Sequence, residues 1–168
     1  MKILLLLGFL VLAVAVVAIV IKAKLVGNAA TPKEGVYYLR KTLFSPAERS
    51  FLGVMETMLP KDEVRVFGKV RLEDIFGVKK GLSAGERQGA RNRINRKHVD
   101  FLLVRASDLS PVAGIELDDS SHDEEDRQQR DAFVDTVFAS AGLPLIHVPA
   151  QAAYTPADVR AKLAKVFD

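Results

Sequence analysis

The chain has 168 residues and no cysteine, which excludes disulfide frameworks, thiolate nucleophiles and thiolate metal sites. Its formal net charge is +3, from 24 Lys and Arg against 21 Asp and Glu. Three of the basic residues, Lys2, Lys22 and Lys24, lie in an N-terminal region without acids, and the remaining 21 equal the acidic residues in number. The net charge therefore gives no reason to expect nucleic-acid binding.

The first predicted element is a membrane-spanning helix. Ile3–Ile21 is a run of 19 residues without a charged side chain, and Lys22 and Lys24 follow it. At 1.5 Å per residue such a helix is about 28 Å long, close to the thickness of a bilayer's hydrocarbon core. Lys and Arg are more numerous after the run than before it, which favours a cytoplasmic C-terminal part. A cleaved signal peptide stays open as an alternative, since Val26–Ala30 contains a small-x-small pattern.

Changes in residue composition along the chain divide it into three parts. Residues 1–24 are predicted to be the transmembrane anchor. Residues 25–42 are rich in Gly, Asn and Pro, which is typical of a linker. Residues 43–168 are long enough for one domain and too short for two.

Alternating helices and strands are predicted within residues 43–168. The first helix has a clear start, because Ser45, Pro46 and Glu48 form a capping box with proline at the first helical position. A possible short helix lies around Ala84–Arg91. The order of the main elements is helix, strand, strand, strand, helix, strand, helix. Their runs begin at Ser45, Val64, His98, Val112, Asp123, Leu143 and Thr155.

Two neighbouring strands carry acids in apolar surroundings. Asp100 lies in the first, and Glu116 and Asp118 lie in the second. The segment between them, Arg105–Pro111, is short and turn-like, so the strands are expected to form a hairpin. In such an antiparallel pair the numbers of opposed residues sum to about 215 or 216, which places Asp100 opposite or next to Glu116.

These three carboxylates are the strongest indication of a site. Burying a carboxylate is costly unless it is paired or bound to a metal, so no argument from an apolar core predicts Asp100, Glu116 and Asp118 there. Carboxylates that converge also repel one another, and they need protons or a divalent cation to coexist. Mg²⁺ suits them because it prefers oxygen ligands.

The segment before the hairpin is basic. Seven Lys and Arg lie between Lys79 and Lys97, opposed only by Glu86. Such a block can follow the phosphates of a nucleic acid, or it can be an ordinary solvated surface. His147 lies in an apolar run without a neighbouring acid, and we expect a buried core histidine there.

The order of elements resembles the PD-(D/E)XK nuclease-like fold. With Asp100 before it, the run Glu116-Leu-Asp-Asp-Ser-Ser-His122 looks like the Glu-x-Asp-Gly-x-x-His strand end of the branch that contains the very-short-patch repair endonucleases. The stretch from Leu43 to about Val166 resembles the bacterial domain of unknown function family 2726. The resemblance implies an α/β fold with a restriction-endonuclease-like core (α-β-β-β-α-β, a mixed sheet flanked by helices), here behind one transmembrane helix.

The resemblance also implies roles for individual residues. Asp100 and Glu116 match the metal-binding acids, and Glu48 matches an acid that many members add to the metal site. Asp118 stands where most of the superfamily has a lysine, and it is expected to bind the metal or accept a proton. His122 is the candidate general base or acid. The expected cofactor is Mg²⁺ or Mn²⁺, without a small-molecule cofactor.

The expected function is that of a membrane-anchored, metal-dependent nuclease-like protein acting on DNA or RNA. It would be a single-pass protein of the bacterial inner membrane, held by residues 3–21, with its C-terminal domain in the cytoplasm. Two alternatives remain open: an inactive nuclease fold that binds nucleic acid, and a protein-interaction module. The residues expected to bind phosphate are Arg91, Arg93, Arg96 and Lys97.

Overall fold

The computed structural model describes residues 2–26, 35–118 and 124–167, which belong to two compact units. The first unit, Met1–Lys41, contains helix α1 (Lys2–Val26). The second unit, Thr42–Asp168, contains every other helix and strand of the described residues.

The predicted membrane anchor is not supported. Ile3–Ile21 does lie within α1. Nevertheless, among the residues that the structure describes, no helix combines the length and the apolar character that a membrane span requires. The predictions of a transmembrane helix at residues 3–21 and of a single-pass inner-membrane protein are therefore wrong.

The second unit is built on a four-stranded mixed sheet. The strands lie in chain order across the sheet. The first and second strands pair antiparallel, as do the second and third, whereas the third and fourth pair parallel. The strands are β1 (Val64–Arg71), β2 (His98–Arg105), β3 (Pro111–Asp118) and β4 (Leu145–Pro149).

Helices flank this sheet, and four of them begin at or next to the residue where the sequence predicts a helix. Ser45 and Glu48 form the expected capping box at the first of them. Thr155 and Asp158 exchange the same pair of hydrogen bonds at the last. The helices are α2 (Pro46–Met58), α3 (Leu72–Ile75), α4 (Ala84–Ile94), α5 (Glu124–Ala141) and α6 (Pro156–Phe167). The predicted fold class, which set the core behind a transmembrane helix, is wrong; the structure is a mixed α/β fold with a four-stranded sheet.

Two apolar clusters cover the sheet. In the first, α2 and α6 pack on the strands, and its buried members include Phe51, Phe101, Ile115 and Leu163. In the second, α3, α4 and α5 pack on the strands, and its buried members include Leu72, Ile94, Val99, Leu102 and Phe138. Strand β2 contributes to both clusters, and six of its eight residues are buried. It is therefore the central element of the domain.

The pairing of β1 with β2 is irregular at one position. Lys69 lies opposite Asp100, because the flanking pairs are Gly68 with Phe101 and Val70 with Val99. Lys69 has φ 55°, a left-handed conformation that residues other than glycine rarely adopt. Phe101 packs in the first cluster and Val99 in the second, although residues two apart on a regular strand share a face. The change of cluster indicates that both strands rotate locally at this pair.

A substitution at Gly114 tests the contact between β3 and α5. A Cβ atom at this position would lie 2.4 Å from Cε1 of Phe138 and 3.0 Å from Cδ1 of Leu145. Phe138 is fully buried and has no room to retreat. Gly114→Ala should therefore lower the free energy of unfolding by roughly 1–3 kcal/mol, measured by urea denaturation of the full chain.

Gly53→Ala is the matched control for this substitution. Gly53 lies on α2 with nothing within 4 Å of an added Cβ. Alanine is favoured over glycine inside a helix by about 1 kcal/mol, so this variant should be as stable as the parent or more stable. Equal stability of Gly114→Ala and the parent would contradict the described packing.

Candidate functional site

A cleft of about 680 Å³ in the second unit brings most of the predicted site residues together. Its acidic members are Glu48, Asp100, Glu116 and Asp118, and its predicted phosphate-binding members are Arg93, Arg96 and Lys97. Lys69, Asn92, His98, Leu117, Val134 and His147 complete the lining. Arg91 belongs to α4 and does not line the cleft. His122 lies outside the described residues.

Asp100 is the buried acid of this cleft. It is 8% exposed, and it is the one buried charged residue among the described parts of the chain. Its Oδ1 accepts a hydrogen bond from Nζ of Lys69 at 2.8 Å, and its Oδ2 accepts one from the Leu117 N–H at 2.9 Å. Burial alone would raise the pKa of Asp100, but these hydrogen bonds lower it below its ordinary value. Asp100 is therefore held as a carboxylate.

Glu116 lies beside Asp100, as the hairpin register predicts. Phe101 pairs with Ile115, which makes Asp100 and Glu116 the next opposed positions, with residue numbers that sum to 216. A hydrogen bond with the Glu116 side chain also contributes to lowering the pKa of Asp100. Two carboxyl groups this close together favour binding of a cation between them.

Lys69 supplies a cation that the sequence analysis missed. Its ammonium group donates hydrogen bonds to Oε1 of Glu48 and to Oδ1 of Asp100. Burial alone would lower the pKa of Lys69, but the bonds to Asp100 and Glu48 raise it above its ordinary value. The expected repulsion among the carboxylates is thus relieved in part by a lysine from β1. The sequence feature that could have identified Lys69 is a basic residue on the strand next to the strand with the buried acid.

Glu48 combines a structural role with a position in the cleft. Its Oε2 accepts a hydrogen bond from the Ser45 N–H at 2.7 Å and so closes the capping box of α2. Its Oε1 accepts from Lys69. The two oxygens therefore serve different partners, and the capping role does not remove Glu48 from the cleft.

Asp118 and His147 form a second charged group in the cleft. Nδ1 of His147 lies 3.1 Å from both carboxylate oxygens of Asp118, and Nε2 lies 2.8 Å from Oδ1 of Asp135. The His147 side chain is 37% exposed, so the prediction of a buried core histidine is wrong. Burial alone would lower the pKa of His147, but Asp118 and Asp135 raise it.

His147 reaches this position through the parallel pairing of β4 with β3. That pairing sets His147 opposite Glu116 and Val148 opposite Leu117. The two strands are separated in the chain by α5, so no local sequence pattern brings the imidazole to the acids. Asp118, one of the predicted metal ligands, has this histidine as its partner.

The basic side of the cleft is formed by the end of α4 and the segment after it. A capping box between Ser83 and Glu86 fixes the start of α4. The Leu72 N–H donates a 2.9 Å hydrogen bond to the Lys97 carbonyl, which ties this segment to the start of α3. Nζ of Lys97 lies 5.4 Å from the centre of the Phe133 ring. The basic side chains are therefore carried by a fixed backbone beside the acids.

The acids are only partly arranged for a metal ion. Among residues 2–26, 35–118 and 124–167, no group of three or more His, Cys, Asp or Glu side chains could hold one. Glu48 and Asp118, two of the predicted ligands, face Lys69 and His147 instead. Asp100 also contacts Lys69, but it forms with Glu116 a pair of adjacent carboxyl groups across the two strands. Such a pair fits Mg²⁺, which proteins often bind through one or two carboxylates together with waters and phosphates.

Comparison with known proteins shows the family of the chain. Residues 40–166 match the model of a family of proteins of unknown function, DUF2726, and the chain belongs to that family. No curated protein and no solved structure matches the chain.

The pH dependence of stability tests the Asp118–His147–Asp135 group. Because the pKa of His147 is raised in the folded state, the group stabilises the fold fully below the unfolded pKa near 6.5. This stabilisation is lost as pH rises through the folded pKa. We therefore expect the loss of unfolding free energy in His147→Gln to be largest in acid and to shrink as pH rises, measured by urea denaturation at a series of pH values.

Asp135→Asn provides a matched variant at the exposed end of this group. It removes one of the two carboxylates that raise the pKa of His147, so the pH dependence should weaken without disappearing. A loss in His147→Gln that is the same at every pH would show that the imidazole is not charged by these partners.

Proposed function

We propose that this member of the DUF2726 family is a metal-dependent, nuclease-like hydrolase that cleaves phosphodiester bonds of nucleic acid in the described cleft. In this proposal its sheet and helices form a PD-(D/E)XK-type core similar to that of the very-short-patch repair endonuclease branch. The observation that carries the proposal is the position of Lys69, whose ammonium group meets Asp100 beside Glu116.

Lys69 can supply the positive charge that the sequence motif lacks. Nucleases of this superfamily combine acids with a lysine, and here Asp118 stands at the lysine position of the motif. An acid at that position supplies no positive charge, but Lys69 reaches the buried acid from β1. A cation at this place stabilises negative charge as it develops on a phosphate or on an attacking water.

Asp100 and Glu116 are the residues that would hold Mg²⁺ or Mn²⁺. A divalent ion there would polarise a phosphoryl oxygen and lower the pKa of a bound water. The backbone positions both carboxyl groups. The Leu117 N–H donates a hydrogen bond to one oxygen of Asp100, and the cross-strand register places Glu116 beside Asp100.

The basic side of the cleft would bind the nucleic-acid backbone. Arg93, Arg96 and Lys97 line the same cavity as the acids, so phosphates bound to them would enter the cavity that contains Asp100. Arginine suits this contact because its guanidinium group can donate two parallel hydrogen bonds to one phosphate. Binding of this kind releases counterions and weakens strongly as salt concentration rises.

His147 would hold a proton at the margin of the same cavity. It faces two carboxylates, and its raised pKa keeps the imidazole charged at higher pH than usual. A charged imidazole there balances one of the two carboxylates, so the group as a whole repels a phosphate less than the acids alone would.

A second candidate function is that of an inactive nuclease fold that binds nucleic acid. The specific observation in its favour is that Lys69 contacts Glu48 and Asp100 together. Side chains paired in this way are less free to bind a metal. The basic side of the cleft would then act alone.

A nuclease assay on the full chain tests the proposal. The substrates should include single- and double-stranded DNA and RNA, each with Mg²⁺ and with Mn²⁺. We expect metal-dependent cleavage of at least one substrate. Asp100→Asn and Lys69→Met should each lower the rate by about a hundredfold or more, since the first weakens the metal site and the second removes a cation beside the reacting phosphate.

Matched controls come from exposed charges close in sequence to the site. Glu56→Gln alters a carboxylate on α2, the helix that carries Glu48, and Lys61→Met alters an exposed lysine shortly before β1. Both should retain the parental rate. Salt-dependent binding without cleavage of any substrate would replace the hydrolase with the binding module, and absence of both would exclude either function.

A further inference from the structure

We propose that Lys69 is the resident cation of the cleft and competes with a divalent metal ion for Asp100. A divalent ion would then bind to Asp100 and Glu116 with useful affinity only when the ammonium group of Lys69 moves away. This inference deepens the proposed function, on which it rests, by stating how metal binding in the same cleft is controlled.

The contacts of Asp100 are the first reason. Its Oδ1 accepts from Nζ of Lys69 at 2.8 Å, and its Oδ2 accepts from the Leu117 N–H at 2.9 Å. Both oxygens of the best-buried acid are therefore occupied by donors. A metal ion can more readily replace the Lys69 ammonium than the Leu117 N–H, since the N–H is fixed in the backbone of β3.

Charge is the second reason. A divalent ion bound to Asp100 would lie within a few ångströms of the Lys69 ammonium, and like charges at that distance repel even at the high effective dielectric of a protein surface. The same ammonium is held by Glu48 from α2, so it does not leave the cleft freely. Metal binding alone must therefore work against two ion pairs.

A phosphate can shift this balance. Arg93, Arg96 and Lys97 line the same cavity as Lys69, and an anion bound beside them offers the ammonium group another partner. If the anion draws Lys69 away from Asp100, metal and polyanion each increase the affinity of the other, because coupling between two ligands is reciprocal. The cleft would then hold its metal together with its substrate.

The test measures the binding of Mn²⁺ alone to the full chain, without nucleic acid, from the paramagnetic resonance signal of free Mn²⁺. We expect weak binding to the parent and at least roughly tenfold tighter binding to Lys69→Met, since that variant removes a nearby positive charge. Lys69→Arg retains the charge and should bind as weakly as the parent. In the double variant Lys69→Met with Asp100→Asn, the gained affinity should be lost.

A second substitution protects the test against misfolding. Lys69 has a left-handed backbone, which glycine adopts without strain, so Lys69→Gly removes the charge and suits the local conformation. It should bind Mn²⁺ as tightly as Lys69→Met. Parental affinity in both charge-removing variants would overturn the inference, and so would tighter binding that survives Asp100→Asn.

These outcomes are separate from those of the nuclease assay. If the parent cleaves nucleic acid and removal of Lys69 leaves Mn²⁺ affinity unchanged, the proposed hydrolase stands and the competition fails. If removal of Lys69 tightens Mn²⁺ binding and the parent cleaves nothing, the competition stands and the hydrolase fails.

Discussion

The ion pair between Lys69 and Asp100 is the interaction on which the rest of the site depends. Asp100 lies on β2, the central strand, and is 8% exposed, so its charge requires a partner inside the fold. Lys69 provides that partner from the opposed position on β1, with a left-handed backbone at φ 55°. Because residues on either side of this pair pack in different apolar clusters, the local rotation of the two strands and the charged cleft occur at the same place. The irregular pairing of β1 with β2 and the charge arrangement of the cleft therefore both involve the Lys69–Asp100 pair.

Two charged groups share the cleft, and they differ in exposure. Lys69, Glu48 and Asp100 form the more enclosed one, with side chains 24%, 14% and 12% exposed. The group around His147 is close to solvent, with its partners Asp118 and Asp135 about half exposed. Carboxylates in the first group are stabilised by a permanent cation, whereas those in the second face a histidine whose charge depends on pH. The acids that look equivalent in the sequence are thus divided between different partners.

Much of the fold could be predicted from the sequence because its signals are local. The capping box at Ser45 sets the start of α2, and the short turn after β2 sets the register that brings Asp100 to Glu116. Lys69 and His147 could not be assigned in this way, since their positions depend on pairing with β2 and with β3. The apolar run at Ile3–Ile21 gave a wrong prediction. Its composition suggested a membrane span, and no described helix qualifies as one. Composition alone was a poorer guide than patterns with a defined geometry.

The most direct test of this account is the titration of the Asp100 carboxyl carbon by NMR, in the parent and in Lys69→Met. Burial raises the pKa of Asp100 and Lys69 lowers it, so removal of the lysine should leave burial less opposed. The account predicts a titration midpoint below the ordinary aspartate value in the parent and a clear upward shift in the variant. The same midpoint in both proteins would contradict it, because the ammonium of Lys69 would then not be the cation that holds Asp100 ionised.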